Sequence, residues 1–188
     1  MAGRVCPVWL AGALEGRIRM WLQDPREVLG GFLKPGYTAV DIGCGPGFFT
    51  TAMAEMVGDE GRVIAADLQP AMLERMMAKA GRMNLASRIV PHQCQPDRLG
   101  ITEKADFALA FWMVHEVPDR DGFFAEVAAM LKDSGCFLMV EPRMHVSSSG
   151  FQESVERARR AGLKMSREVK VRMSRGALFT RGQPGVLG

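Results

Sequence analysis

The chain has 188 residues, 47% hydrophobic and 24% charged, with a formal charge of +3 at pH 7. That length suits one domain with a sizeable core, and the composition is that of an ordinary globular protein rather than a disordered or collagen-like one. So small a net charge gives no ground for a polyanionic partner, and no apolar run is long enough to span a bilayer. The charge is uneven, however: residues 151–188 hold nine Lys/Arg against three Asp/Glu. Four cysteines, Cys6, Cys44, Cys94 and Cys136, lie far apart with no C-x-x-C pair. This speaks against a zinc site or a disulfide framework and for a reducing, cytoplasmic setting.

In chain order, Arg4 and the mostly apolar stretch 5–14 have the outline of a short signal peptide. Pro7 interrupts that stretch and Glu15, Arg17 and Arg19 follow at once, so an N-terminal helix is the expectation instead. Residues 37–42 form a short β-rich run. Phe49, Ala52, Met53, Met56 and Val57 then recur at helical spacing. Residues 62–67 ("RVIAAD") read as a second strand. Pro70 opens a helix at a position proline tolerates, with Met72, Leu73, Met76, Met77 and Ala80 as its apolar face. A third strand is expected near 88–94, and 105–111 ("ADFALAF") reads as a buried fourth. Phe123, Phe124, Val127, Met130 and Leu131 give another helical stripe, and 135–141 ("GCFLMVE") a fifth strand ended by Pro142. Residues 151–161 look helical. Residues 163–173 and 177–181 read as two strands joined by "SRG".

Strand and helix take turns, which predicts an α/β fold with a parallel sheet covered on both faces. The closing hairpin cannot continue a parallel series and predicts an antiparallel C-terminal edge. The fourteen methionines sit mostly on apolar stripes and read as core filling.

The most informative stretch is "VDIGCGPGFFT", residues 40–50, a strand followed by glycines and a helix. Small residues let a ligand approach the backbone, the first helical N–H groups lack internal partners, and open α/β sheets bind ligands at such strand ends. The dinucleotide fingerprint G-x-G-x-x-G fails by one position, because Phe48 stands where its third glycine belongs. Asp41 beside the turn suits a ligand with a positive charge better than a pyrophosphate. Asp67 ends the second strand 20 residues after Gly47, where a carboxylate accepts hydrogen bonds from ribose hydroxyls.

"VDIGCGPGFFT" resembles motif I of the class I S-adenosylmethionine-dependent methyltransferases. The similarity continues through "VIAADLQPAML", "ADFALAFWMVHEVPD" and "EVAAMLKDSGCFLMVEP", and so covers roughly residues 25–181. The nearest flavour is the small-molecule group that includes the ubiquinone and menaquinone C-methyltransferases. The resemblance implies a Rossmann-like, doubly wound, mostly parallel seven-stranded sheet with an antiparallel C-terminal edge hairpin. It implies a single methyltransferase domain, with an N-terminal helical segment over the site at 1–36 and a catalytic core at 37–181. It also implies S-adenosylmethionine as cofactor. Gly43, Cys44, Gly45 and Gly47 would form the loop under its methionine end, and Asp41 would help hold its amino group. Asp67 would take the ribose, Leu68 would pack on the adenine, and Phe111 would lie beside the methionine portion. Gln95 falls where the family often has an acidic residue reading the adenine amino group, a departure from the pattern.

Methyl transfer from a sulfonium is an in-line displacement, and a base matters only when the acceptor must lose a proton. His115 and Glu141 are the candidates for that role, with loop anchoring as the alternative for each. Glu116 reads as a surface or helix-start charge. Glu141 and His145 stand four apart, but nothing nearby completes a metal set, so no metal is expected. Cys6, Cys94 and Cys136 are a weak echo of the thiol set of arsenite methyltransferases, with Cys136 placed as core. Trp112 is a candidate pocket wall, while Trp9 and Trp21 belong either to a cover over the site or to the core.

The basic run Arg157, Arg159, Arg160, Lys164, Arg167, Lys170, Arg172 and Arg175 reads either as an RNA stripe or as a solvated edge. The absence of interleaved aromatics favours the latter, and the absence of the N-P-P-Y type tetrapeptide argues against methylation of exocyclic base amines. The expected partner is therefore a small-molecule methyl acceptor rather than nucleic acid, for a monomer or homodimer. The alternatives are an RNA methyltransferase and a cofactor-binding partner protein without catalysis.

Overall fold

The computed structural model describes residues 24–182. Its elements in order are α1 (Pro25–Leu29), β1 (Thr38–Ile42), α2 (Phe48–Val57), β2 (Arg62–Asp67), α3 (Pro70–Arg82), β3 (Ile89–Gln93), β4 (Ala105–Phe111), α4 (Arg120–Met130), β5 (Leu131–Pro142), α5 (Ser148–Arg160), β6 (Leu163–Val169) and β7 (Ser174–Arg181). The seven strands form one sheet in the order β3-β2-β1-β4-β5-β7-β6. The pairs from β3 to β5 are parallel, and β7 runs antiparallel to both its neighbours. The expected fold is therefore the observed one.

Successive strand residues face opposite sides of the sheet. Ala39, Ala65, Phe107, Leu109 and Leu138 join one apolar cluster with α1, α2 and α3. Val40, Ile64, Ala108, Ala110 and Phe137 join the other with α4 and α5. Both faces are covered, so the central strands need apolar residues at every position, as "ADFALAF" has. Pro70 stands at the start of α3, the side chain of Asp119 caps α4 through the Gly122 amide, and that of Ser147 caps α5 through the Gly150 amide.

Two boundaries differ from expectation. The last hairpin turns at residues 170–173, not at "SRG", which lies inside β7. Met173 takes the left-handed conformation the turn needs (φ 57°). Gly176 is instead a strand glycine beside β6, where a Cβ would sit 2.7 Å from the Val169 carbonyl oxygen. Strand β5 starts early because Leu131 pairs with Ala105, after which the register jumps to Phe107 opposite Cys136. Residues 132–135 are accommodated as an irregularity within the strand.

The described part of the N-terminal segment packs beneath the sheet. Leu29 and Leu33 are buried, and Phe32 stacks parallel to Phe107 with ring centres 6.4 Å apart. The expectation that residues 1–36 cover the site, with Trp9 and Trp21, rests on residues 1–23, which lie outside the described ones. So does Cys6.

Candidate functional site

The strand order reverses between β1 and β4, the place where an open α/β sheet leaves a crevice at its strand ends. A cavity of about 560 Å³ opens there. The loop after β1 is tied down by the Gly43 and Cys44 amides, which both donate to the Ala66 carbonyl at 2.8 and 3.0 Å.

Gly43, Gly45 and Gly47 all have positive φ (72°, 53° and 89°), yet they do different things. A Cβ on Gly47 would meet Met76 Cγ at 2.6 Å, and one on Gly43 would meet Met113 Cγ at 2.9 Å. Those two glycines let the loop pack against protein. Among the described residues a Cβ on Gly45 would meet nothing within 4 Å, and Gly45 lines the cavity. Its empty side is the cradle a ligand would fill. Gly47 does not line the cavity; it precedes α2 and packs on Met76. The expectation that all three glycines lie under the ligand is corrected to that extent.

Asp67 is buried at the end of β2. Its Oδ2 accepts from the Gly45 amide at 2.8 Å and its Oδ1 from the Gln69 amide at 2.9 Å. Burial pushes its pKa up, and the Gln69, Gly45 and Leu68 amides oppose this. Each oxygen has a further lone pair to offer a ligand hydroxyl. Asp41 is buried on the cavity floor, where its Oδ2 accepts from Thr50 Oγ1 at 2.6 Å. Leu68 and Gln95 line the same side, and the backbones of Gln95 and Arg98 pair to close a tight turn. Phe111 is buried with its ring centre 4.4 Å from that of Phe49 and 5.3 Å from that of Trp112.

Cys44 and Cys94 also line the cavity. Burial first, and the Asp41 and Asp67 carboxylates next, push the Cys44 thiol far up. Cys94 is raised to about 12 by burial, then by Asp67 and Glu126. Both are thiols at neutral pH and act as packing.

Among the described residues the carboxylates on the cavity lining are Asp41, Asp67, Asp97, Glu116, Asp119 and Glu126, and the one arginine is Arg98. Such a field favours a cationic ligand and disfavours phosphates. Burial raises the Glu116 pKa, an effect that the His115 charge opposes.

His115 and Glu141 are brought together. His115 Nδ1 lies 2.6 Å from Glu141 Oε2, while Glu141 Oε1 accepts from the Val114 amide at 2.9 Å. Glu141 was expected at the crevice rim, but it is 1% exposed and absent from the lining. Near the end of β5 its carboxylate turns inward to hold residues 114–115. It therefore holds His115 from behind and does not line the cavity. The Glu141 hydrogen bond raises the His115 pKa, and burial opposes it. His145 is not ligated with Glu141; its ring sits 6.0 Å from that of His115, edge to face. Among the described residues no group of three or more His, Cys, Asp or Glu is placed to hold a metal. Trp112 lines the cavity, with a left-handed backbone (φ 62°) and its Nε1 donating to Ser174 Oγ at 3.0 Å.

Sequence reasoning missed Thr50, Glu126 and Ser174. Glu126 receives the Leu99 and Gly100 amides at 3.0 and 2.8 Å and so shapes the wall after β3. No spacing in the chain pointed to these partners. The signal that was present, "QPDR", is a turn former and does close the turn at 95–98.

A family model described as a methyltransferase domain matches residues 39–135, half of the chain. Among curated proteins, the demethylmenaquinone methyltransferase of Lactobacillus johnsonii is 33% identical over 104 residues, which is 55% of this chain and 43% of that one. The ubiquinone/menaquinone biosynthesis C-methyltransferase UbiE of Shewanella oneidensis is 27% identical over 124 residues, 65% of this chain and 49% of that one. The chain thus spans about half the length of these relatives. Among solved structures, a SAM-dependent methyltransferase from Aquifex aeolicus superposes with a TM-score of 0.85 at 24% identity, covering 94% of this chain and 100% of that one. Aeropyrum pernix fibrillarin with natively bound S-adenosyl-L-methionine gives 0.62 at 16% identity, covering 92% and 74%. At those identities the structures speak to fold alone. The family rests on the matched model, which spans residues of the β1–β4 switch point and half of the chain: the chain belongs to the methyltransferase domain family.

Proposed function

We propose that the chain methylates a small-molecule acceptor that must shed a proton, in the cytoplasm, with His115 as the base. The observation that carries this is the His115–Glu141 pair. A carboxylate can only accept, so the Nδ1 atom of His115 bears the proton and Nε2 is left as the basic nitrogen, on a side chain that lines the cavity.

The residues present suit the cofactor. Gly45 offers an open backbone, Asp67 a buried acceptor for ribose hydroxyls, and Asp41 a negative charge on the floor. Leu68 and Gln95 would flank the adenine, and Gly43, Cys44 and Phe111 the methionine portion. S-adenosylmethionine supplies a methyl group on a positively charged sulfur. The chain's own part is to hold the acceptor against Trp112, exclude water, and take its proton on His115 Nε2 as the new bond to methyl forms. The proton enters a site where Glu141 steadies the resulting imidazolium.

The relatives named for quinone methylation support a small, cyclic acceptor. So does the state of α5, whose arginines are already engaged. Arg157 pairs with Asp121 and Glu153, Arg159 with Glu156, and Arg160 with Asp121. The test is transfer of labelled methyl from S-adenosylmethionine into fractionated cell extract, with and without ribonuclease. Label in a ribonuclease-resistant small-molecule fraction, lost with His115→Ala, is the expected result. Label in RNA overturns the reading.

A further inference from the structure

Basic residues of the C-terminal third differ in how their charge is answered. Those on α5 are paired with carboxylates. Arg143, Lys170 and Arg175, around the β6–β7 turn, form no ion pair with any described residue. A second cavity, of about 590 Å³, opens at that turn, and among the described residues its lining includes Arg143, Lys170, Arg172 and Arg175 against a single acid, Glu168. Arg143 is anchored through Nε to the Ser174 carbonyl at 3.0 Å, and Arg175 through Nη1 to the Val146 carbonyl at 2.9 Å. Both bonds go to neutral oxygens. They orient each guanidinium without cancelling its charge and leave other N–H groups of the fork to donate.

Like charges gathered round one concavity repel each other until an anion joins them. The Ser148 residue at the start of α5 also lines the cavity. Among the described residues the one aromatic on the lining, Phe151, is 3% exposed and offers no face for a base to stack on. We propose that this cavity binds a small soluble anion of the phosphate class, separate from the ligands of the first cavity. Ser174 lines it and accepts from the Trp112 indole, whose other side lines the first cavity. The bound anion thus lies one side chain away from the acceptor wall.

The test is calorimetric titration of the full chain with inorganic pyrophosphate at low salt. One saturable site is expected, undisturbed by S-adenosylhomocysteine. Arg143→Gln with Lys170→Gln should weaken it by about tenfold or more, the scale of losing charged hydrogen bonds, with the affinity for S-adenosylhomocysteine unchanged. Arg159→Gln with Arg160→Gln should leave both affinities as they were. If the first pair loses native circular dichroism, Lys170→Gln alone carries the test, since its side chain is exposed and a severalfold loss is still required. Competition by S-adenosylhomocysteine, equal loss in the α5 variant, or no loss at Arg143 and Lys170 would overturn the assignment. A single-stranded oligoribonucleotide that displaces pyrophosphate and binds more tightly would overturn it too, with RNA as the partner.

Discussion

The two cavities have nearly equal volumes, about 560 and about 590 Å³, and opposite charge. The first lies where parallel strands end together. Asp41 and Asp67 come from neighbouring parallel strands, Asp41 opposite Ala65 and Asp67 two residues further on, so the fold itself concentrates negative charge there. The second lies at the antiparallel edge, built from a hairpin turn, the segment after β5 and the start of α5. Size does not distinguish them; sign does, and sign assigns a cationic cofactor to one and an anion to the other.

The largest expected effect sharpens the first cavity. Gly45→Val places a branched side chain in its empty cradle, at a φ that L-residues avoid. Binding of S-adenosylhomocysteine should be abolished in a protein with native circular dichroism, and full affinity would break the loop assignment. Next comes His115→Ala, expected to lower turnover about 10²–10⁴-fold with cofactor affinity intact. In the same experiment kcat/KM of the parent should rise with pH as His115 loses its proton, through a value raised above 6.5. Glu141→Gln removes the main cause of the raise and should move that inflection to lower pH. The stability sign runs the other way. A histidine whose folded pKa is raised stabilises the fold below 6.5 and loses that contribution as pH climbs through the folded value. Denaturant titrations should therefore show His115→Ala more destabilised in acid than well above the raised pKa.

Smaller again is Asp67→Asn, expected to weaken cofactor binding by about 1–3 kcal/mol. The amide is the better probe than alanine, because Asp67 also holds the Gly45 and Gln69 amides. The smallest effect belongs to α5. Arg159→Gln should change unfolding free energy by no more than about 1 kcal/mol, the scale of an exposed ion pair, and NAD should bind neither cavity more tightly than S-adenosylhomocysteine binds the first. Tighter NAD binding by calorimetry would erase the distinction drawn from charge.

Much of this was legible in the chain. Strands β2 and β4 stand at their expected residues, because continuous apolar runs bounded by turns leave no other reading. The glycine loop and Asp67 were legible because close backbone approach restricts residue type. The orientation of Glu141 was not. In a strand covered on both faces there is no apolar-polar alternation to say which way a side chain points. The turn at 170–173 was misplaced because glycine signals both turns and close strand contacts, and only the neighbouring backbone decides between them. The partnership of Ser174 with Trp112 spans 62 residues, beyond the reach of any local pattern.

The left-handed backbone at Trp112 carries a rule about replacement. A residue at φ 62° is strained by about 1–2 kcal/mol in that region unless it is glycine, asparagine or aspartate. The acceptor wall is thus the obvious place to retune selectivity by mutation and a poor place to try β-branched residues. Drift towards a new acceptor, in nature or in a laboratory library, should run through short polar residues at this position, or leave it alone and vary Met113 and His145, which line the same cavity.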